Sequence, residues 1–321
     1  MKRALVSAII SFLAIGVLNA TPIEYPKEKT LTIIVATPPG NSVDVVARTY
    51  AEFLKKSYTY NNVVVINLPG AATALGTNRV LTEKRDGYTL LFGSVDQVAA
   101  SKAIIAASFD MAKDFVPVSI VASGPFAFAT QHGKYTNLQD FIQKNKDREI
   151  TFAGIGYGGA TNFVSMEMLQ SLGLKGRVIP YNSIPQLLTD VMEDRVDLIH
   201  ITVQSGKGFI TSGKLDALAV TSDSRSGYLP NVPTYKEAVG KSIVRSFWKG
   251  VFVAKGTSQN IVDDLRNRTE TIKRDPEFIE ALNKIGIAPA PELTASEIVT
   301  FIEKENAIFS SLMTTYDMKK Q

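Results

Sequence analysis

The feature that most restricts the fold is an alternation of short β-branched runs with helical segments, separated by loops rich in glycine and proline. Leu31 to Ala36 reads as a buried strand, and Thr37-Pro38-Pro39-Gly40-Asn41-Ser42 as a turn. Val43, Val46, Ala47, Tyr50, Ala51 and Leu54 then recur at helical spacing up to about Lys56. Val63 to Ile66 is a second strand, Asn67 to Thr73 a loop, Leu75 to Glu83 a helix, and Tyr88 to Gly93 a third strand. Parallel strands need such crossovers, so the order βαβαβ predicts a mostly parallel sheet with helices on both faces.

The pattern returns further on. Leu138 to Lys144 reads as a helix, Ile150 to Ala153 as a strand, Asn162 to Ser171 as a helix and Arg177 to Tyr181 as a strand. Ile184 to Glu193 follows as a helix, with strands at Val196 to Ile201 and Leu215 to Thr221. Between the two blocks, Val116 to Thr130 is a long apolar run broken by Ser123-Gly124-Pro125, as expected where a chain passes between domains. Trp248 to Ala254 is the return crossing. The tail is helical over Ile261 to Lys273, Pro276 to Ile285 and Ala295 to about Met313, with Thr294 and Glu297 forming a capping box. The expected architecture is α/β with two lobes, residues 21–124 plus 250–321 and residues 125–249. Two crossing strands make the hinge, and the cleft lies at the strand C-termini, where open α/β sheets bind ligands.

The first twenty residues are expected to be removed. Lys2 and Arg3 precede a mostly apolar stretch from Ala4 to Val17, and Leu18-Asn19-Ala20 ends on a small residue, so residues 1–20 read as a secretory signal peptide. That segment holds two bases and no acid, so part of the formal net charge of +4 leaves with it. No dense Lys/Arg cluster supports nucleic-acid binding. The chain has no cysteine, which excludes disulfides, thiolate metal sites and thiol nucleophiles. The two histidines, His132 and His200, leave little for a metal site or a triad. His200 sits in an apolar strand and reads as packed or hydrogen-bonded, Trp248 as a packing anchor, and Asp44 with Arg48 as a surface helix pair.

Three small-residue loops, each between a strand and a helix, carry the site expectation. Gly154-Ile155-Gly156-Tyr157-Gly158-Gly159 matches G-x-G-x-x-G, but Val178-Ile179-Pro180-Tyr181 stands where a dinucleotide site needs an acid. Gly208 to Leu215 lacks the P-loop hydroxyl at Leu215. A helix start with unblocked N–H groups reads instead as an anion nest, with a purely structural glycine turn as the alternative. Pro38-Pro39-Gly40-Asn41-Ser42 and Pro69-Gly70-Ala71-Ala72-Thr73 open helices in the same way. For the first of these, simple N-capping by Asn41 or Ser42 is the alternative.

The chain resembles the substrate-binding proteins of the tripartite tricarboxylate transporters, the Bug family. The residues that carry the likeness are Ile34-Val35 with Pro38-Pro39-Gly40 and Asp44; Asn67 with Pro69-Gly70-Ala71; Asp86-Gly87-Tyr88-Thr89-Leu90-Leu91; and Asp114-Phe115-Val116-Pro117-Val118. Pro180-Tyr181, Lys214-Leu215, Pro230-Asn231-Val232-Pro233-Thr234 and Trp248 to Thr257 follow in family order. The resemblance implies a periplasmic binding protein of the type II fold that closes on a small mono- or dicarboxylate. It implies no cofactor, no metal and no catalytic residue, a monomer, and a partner in the integral membrane transporter subunits. A co-receptor that docks on a membrane sensor kinase is the alternative role. Carried over by position, the ligand residues are Gly40, Asn41 and Ser42, Ala71 and Ala72, and Gly156, Tyr157, Gly158, Gly159, Ala160 and Thr161. Thr37 and Ser94 line the cleft. The chain departs from the family where Thr37 replaces a large aromatic, Asn41 a glycine, Ala72 and Thr73 two glycines, and Asn162 a histidine.

Overall fold

The computed structural model describes Tyr25 and residues 29–58, 62–103, 107–155, 158–181 and 183–316. The expected signal peptide, Gly156 and Tyr157 lie outside the described residues. The chain begins with β1 (Leu31–Val35), α1 (Ser42–Ser57), β2 (Val63–Asn67), α2 (Ala74–Thr82), β3 (Thr89–Ser94), α3 (Val95–Ala103) and the single turn α4 (Met111–Asp114). Next come β4 (Phe115–Gln131), α5 (Leu138–Asn145), β5 (Glu149–Ile155), α6 (Ala160–Leu172), β6 (Lys175–Tyr181), α7 (Ile184–Met192) and β7 (Leu198–Thr202). It continues through α8 (Val203–Thr211), β8 (Leu215–Val220), α9 (Tyr235–Val239) and β9 (Ser246–Ala254). The tail is α10 (Gln259–Arg274), α11 (Pro276–Lys284), β10 (Ala288–Pro289) and α12 (Ala295–Thr315).

The strands form one ten-stranded sheet, with β2-β1-β3-β9-β4-β7-β5-β6 side by side and β8 and β10 added on β4. β1 is parallel to β2 and β3, and β5 is parallel to β6 and β7, as helical crossovers require. Antiparallel pairing of β4 and β9 joins these two parallel blocks. β4 is one strand of 17 residues that changes partners midway. It runs against β9 from Phe115 to Pro125, then against β7 and β8 from Phe126 onward. The exchange falls beside Ser123-Gly124-Pro125. The β4–β9 register slips between Pro117 and Ser119, since proline has no N–H to give the ladder.

The mixed α/β fold and its curled two-lobe sheet follow the sequence pattern, with two differences. Helices α3, α4, α8 and α9 are additional. α8 contains Gly206 and Gly208, which weaken any helical signal. A Cβ at Gly206 would lie 2.7 Å from Ile201 Cγ2, so the approach of α8 to β7 demands glycine. α9 carries a legible start, the Thr234–Glu237 capping box. The last difference concerns α12, which the sequence assigns to the first lobe alone. It packs on α3, α4 and β4 and also reaches α6. The Phe163 and Phe309 rings stack with centroids 4.7 Å apart, and the Tyr316 hydroxyl donates to the Met166 carbonyl at 2.8 Å. Trp248 is buried near Phe252 and Phe301, the packing role expected of it.

Candidate ligand cleft

The β1–α1 turn is held by its own side chains. Asn41 caps α1: its Oδ1 accepts from the Val43 and Asp44 amides at 3.0 and 2.9 Å, and from the Thr37 hydroxyl at 3.1 Å. Gly40 has φ 81°, and its N–H donates to Asp44 Oδ2 at 2.8 Å. Asp44 also accepts from Arg48 Nε and from Asn67 Nδ2, which bonds the Thr37 carbonyl as well. The sequence reading of Asp44–Arg48 as a surface pair therefore needs correction. The carboxylate is buried and knits β1, α1 and β2 together. Burial alone would raise its pKa. The hydrogen bonds from Arg48, Gly40 and Asn67 outweigh that and hold it below the ordinary carboxylate value.

The loop before α2 stores strain. Gly70 has φ 141°, and Ala71, Ala72 and Thr73 follow at 43°, 47° and 83°. L-residues in this region cost roughly 1–2 kcal/mol each. The Thr73 hydroxyl is buried and has no hydrogen-bond partner among the described residues. Beside this loop, the end of β3 leads directly into α3. Ser94 is fully buried, and its N–H donates to Gln97 Oε1 at 2.7 Å. Its hydroxyl donates to Asp96 Oδ2 at 3.3 Å.

The second-lobe loop is built differently. Gly159 is the N-cap of α6 and supplies no side-chain cap. The first amide of that helix, Ala160 N–H, donates instead to Asp96 Oδ1 from the other lobe at 3.2 Å. Gly154 is glycine for a packing reason: a Cβ there would sit 1.5 Å from the Asn162 Oδ1, and Asn162 is fully buried. His200 lies on β7 and borders the same cleft. Its Nδ1 pairs with the Ser165 hydroxyl and its Nε2 with the Tyr235 hydroxyl, both at 2.9 Å. Burial pushes its pKa down to about 3, so the ring is neutral and both nitrogens are engaged. That matches the expected packed, hydrogen-bonded histidine.

A cavity of about 360 Å³ lies between these loops. Thr37, Asn41, Ser42, Ala72, Gly158, Gly159 and Thr161 line it, so the structure brings these sequence-predicted residues together. Gly40, Ala71, Ser94 and Ala160 are not on its wall. Gly40 shapes the turn, Ala160 supplies the amide bonded by Asp96, and Ser94 stands behind Asp96, which faces the cavity itself. The helix starts of α1, α6, α7 and α8 all contribute to the wall, through Ser42, Thr161, Ile184 and Ser205. Much of the rest is apolar, including Val43, Leu187, Ile199, Ile201 and Phe247.

Residues 46–316 match the tripartite tricarboxylate transporter receptor family, TctC. The chain belongs to this family. Among relatives of this receptor, BugT of Bordetella pertussis is 30% identical over 288 residues, 87% of this chain and 88% of that one. The structure of the periplasmic binding protein BugD covers 92% of the receptor and 100% of its own chain, at 26% identity and a TM-score of 0.77. An R. palustris protein determined with adipate has the same fold, with 23% identity, a TM-score of 0.81 and coverage of 93% and 100%. The family is one of solute-binding receptors and not of enzymes.

Sequence reasoning missed several wall residues of the receptor. Phe247 lies on the hinge strand, edge-on to Phe126 with centroids 5.8 Å apart. Thr202 caps α8 by accepting from the Ser205 amide, a pairing that the Thr-x-x-Ser spacing makes legible. Asp96 had the plainest signal, a lone acid two residues beyond Ser94. It is the one acidic side chain on the described wall. Burial raises its pKa, against the Ala160 amide, the Ser94 hydroxyl and the charge of Lys249. Lys249 is fully buried on β9, donates to Gln204 Oε1 at 3.2 Å, and is pushed down to about 7 by burial against the pull of Asp96. Among the described residues no cluster of three or more His, Asp or Glu side chains is placed to hold a metal ion, and no helix is long and apolar enough to cross a membrane.

Proposed function

We propose that this chain is a periplasmic receptor that closes two lobes on a small organic carboxylate and delivers it to a tripartite tricarboxylate transporter. The observation that carries the reading is the cavity between the lobes, into which several helix N-termini open and where apolar residues dominate the wall. An anion gains roughly 0.3–1 kcal/mol from each helix start, and charge-assisted hydrogen bonds add about 1.5–3 kcal/mol each. A few such contacts with apolar burial reach the ~8 kcal/mol of micromolar binding without an arginine clamp. The adipate bound by the R. palustris neighbour supports the same ligand chemistry.

In this reading the lobes meet at 124/125 and 249/250, and the β4–β9 ribbon is the hinge. Ser42, Ala72 and Thr161 are the ligand contacts on its two sides, with Thr37, Asn41, Gly158 and Gly159 shaping them. The apolar leader, residues 1–20, directs export. The test is a thermal-shift screen of the purified chain against aliphatic, aromatic and amino-acid carboxylates, with mass spectrometry of any ligand carried through purification. Ligand at 100 times its Kd adds about 2.7 kcal/mol to stability. A panel without any shift, together with no carboxylate released on denaturation, refutes the receptor role. Loss of uptake of the identified ligand on deletion of this protein checks the delivery step.

A further inference from the structure

We propose that Asp96 makes this receptor selective for ligands bearing a single carboxylate on an apolar body, and that it excludes dicarboxylates. The inference rests on the receptor reading above and names the ligand class for that cleft. Three observations carry it.

First, the α6 start is a second-lobe position suited to an anion, since its N-cap is glycine and no side chain of its own lobe caps it. Second, that place is already used: Asp96 Oδ1 accepts from the Ala160 amide across the cleft, while the Ser94 hydroxyl steadies Oδ2. Third, the described wall holds no Lys or Arg, and its one base, His200, is kept neutral by burial, so nothing there compensates a further negative charge. Lys249 is buried outside the wall and donates to Gln204.

A ligand's first carboxylate can lie against the first-lobe side, at Ser42 on the start of α1. A second carboxylate at the far end of the ligand would meet Asp96. It would face either the like charge or the need to protonate Asp96 first, and in a partly desolvated cleft both are unfavourable. The wall between these ends is apolar, with Leu187, Ile199, Ile201 and Phe247, and it suits a hydrocarbon or aromatic body.

The test uses matched probes on the whole chain. One series is hexanoate, adipate and the monoamide of adipate; the other is benzoate, terephthalate and the monoamide of terephthalate. Each dicarboxylate and its monoamide share size and shape and differ by one charge. Calorimetry should give the monoamide of the better-binding series at least tenfold tighter binding than its dicarboxylate. Asp96→Asn should bring that ratio to within about threefold of one, chiefly by improving the dicarboxylate. The wild-type ranking stands as a readout even if the variant fails to fold. The proposal is overturned if a dicarboxylate binds as tightly as its monoamide, if Asp96→Asn folds and leaves the ratio unchanged, or if none of the six probes binds. Carboxylates of the wider panel binding in any of these cases would leave the receptor reading standing.

Discussion

The two rims of the cleft use the same strand–loop–helix grammar and satisfy their polar groups in opposite ways. On the first-lobe rim the turn into α1 is self-contained. Asn41 and Asp44 take the Gly40, Val43 and Asp44 amides, and Asn67 ties the turn to β2. On the second-lobe rim the start of α6 has no side-chain cap of its own and draws a carboxylate from across the cleft. The lesson is that a glycine-bearing loop before a helix does not by itself announce an open anion nest. Whether its amides are free depends on which short polar side chain stands at the N-cap, and on what the opposite lobe presents.

This contrast makes testable claims. The largest effect is expected at Asp44. Asp44→Ala leaves the Gly40 amide without its acceptor and takes one of the two acceptors of the Asn67 amide, and should destabilise the protein by about 3 kcal/mol. Chemical denaturation measures it; a loss under 1 kcal/mol would mean that the turn does not depend on this carboxylate. Asn41→Ala removes the cap and the acceptor of the Thr37 hydroxyl, and should cost about 1–2 kcal/mol by the same measurement. An unchanged midpoint would erase the difference drawn between the rims.

Thr73→Gly should move stability the other way. It relieves a left-handed L-residue and removes a buried hydroxyl with no partner among the described residues, at the expense of a more flexible unfolded chain. The net expectation is a gain of about 1 kcal/mol, seen as a raised Tm. A lowered Tm would show that the loop is held by contacts worth more than its strain.

The smallest effect concerns acid, where the halves should behave alike. Asp197 is the second-lobe counterpart of Asp44, bonded to Arg148 and to the amide and hydroxyl of Thr151. Burial would raise its pKa, but Arg148 and Thr151 outweigh that and bring it to about 2, from an ordinary 3.8. A depressed carboxylate contributes stability that is present above its unfolded value and lost as pH falls through its folded value. Denaturation midpoints should therefore drop from about pH 4 to about pH 2, and Asp197→Asn should flatten that stretch. A profile identical in the variant would assign the acid loss to other groups.

Much of this was legible in the residues. β-branched runs at Leu31–Val35 and Val63–Asn67, with an amphipathic helix between them, left little choice but a parallel pair. Gly124-Pro125 marked where β4 changes partners, and Thr294 with Glu297 marked the start of α12. The loops that border the cavity were legible too, because glycine and proline at strand ends restrict the backbone locally. Asp96, Phe247 and His200 were not read as wall residues. Each lies at a strand or helix position whose exposure depends on what packs across from it.

The sequence by itself determined the elements, their parallel grouping and the family, since propensity, periodicity and capping act over a few residues and leave their mark in order along the chain. Only the tertiary structure decided how the start of α6 is satisfied, that α12 bridges both halves, and that a carboxylate from β3–α3 sits at that helix start. Those outcomes depend on partners far apart in sequence, 64 residues in the case of Asp96 and Ala160. No local pattern encodes such a meeting; it follows from how β4 and β9 bring the two lobes face to face.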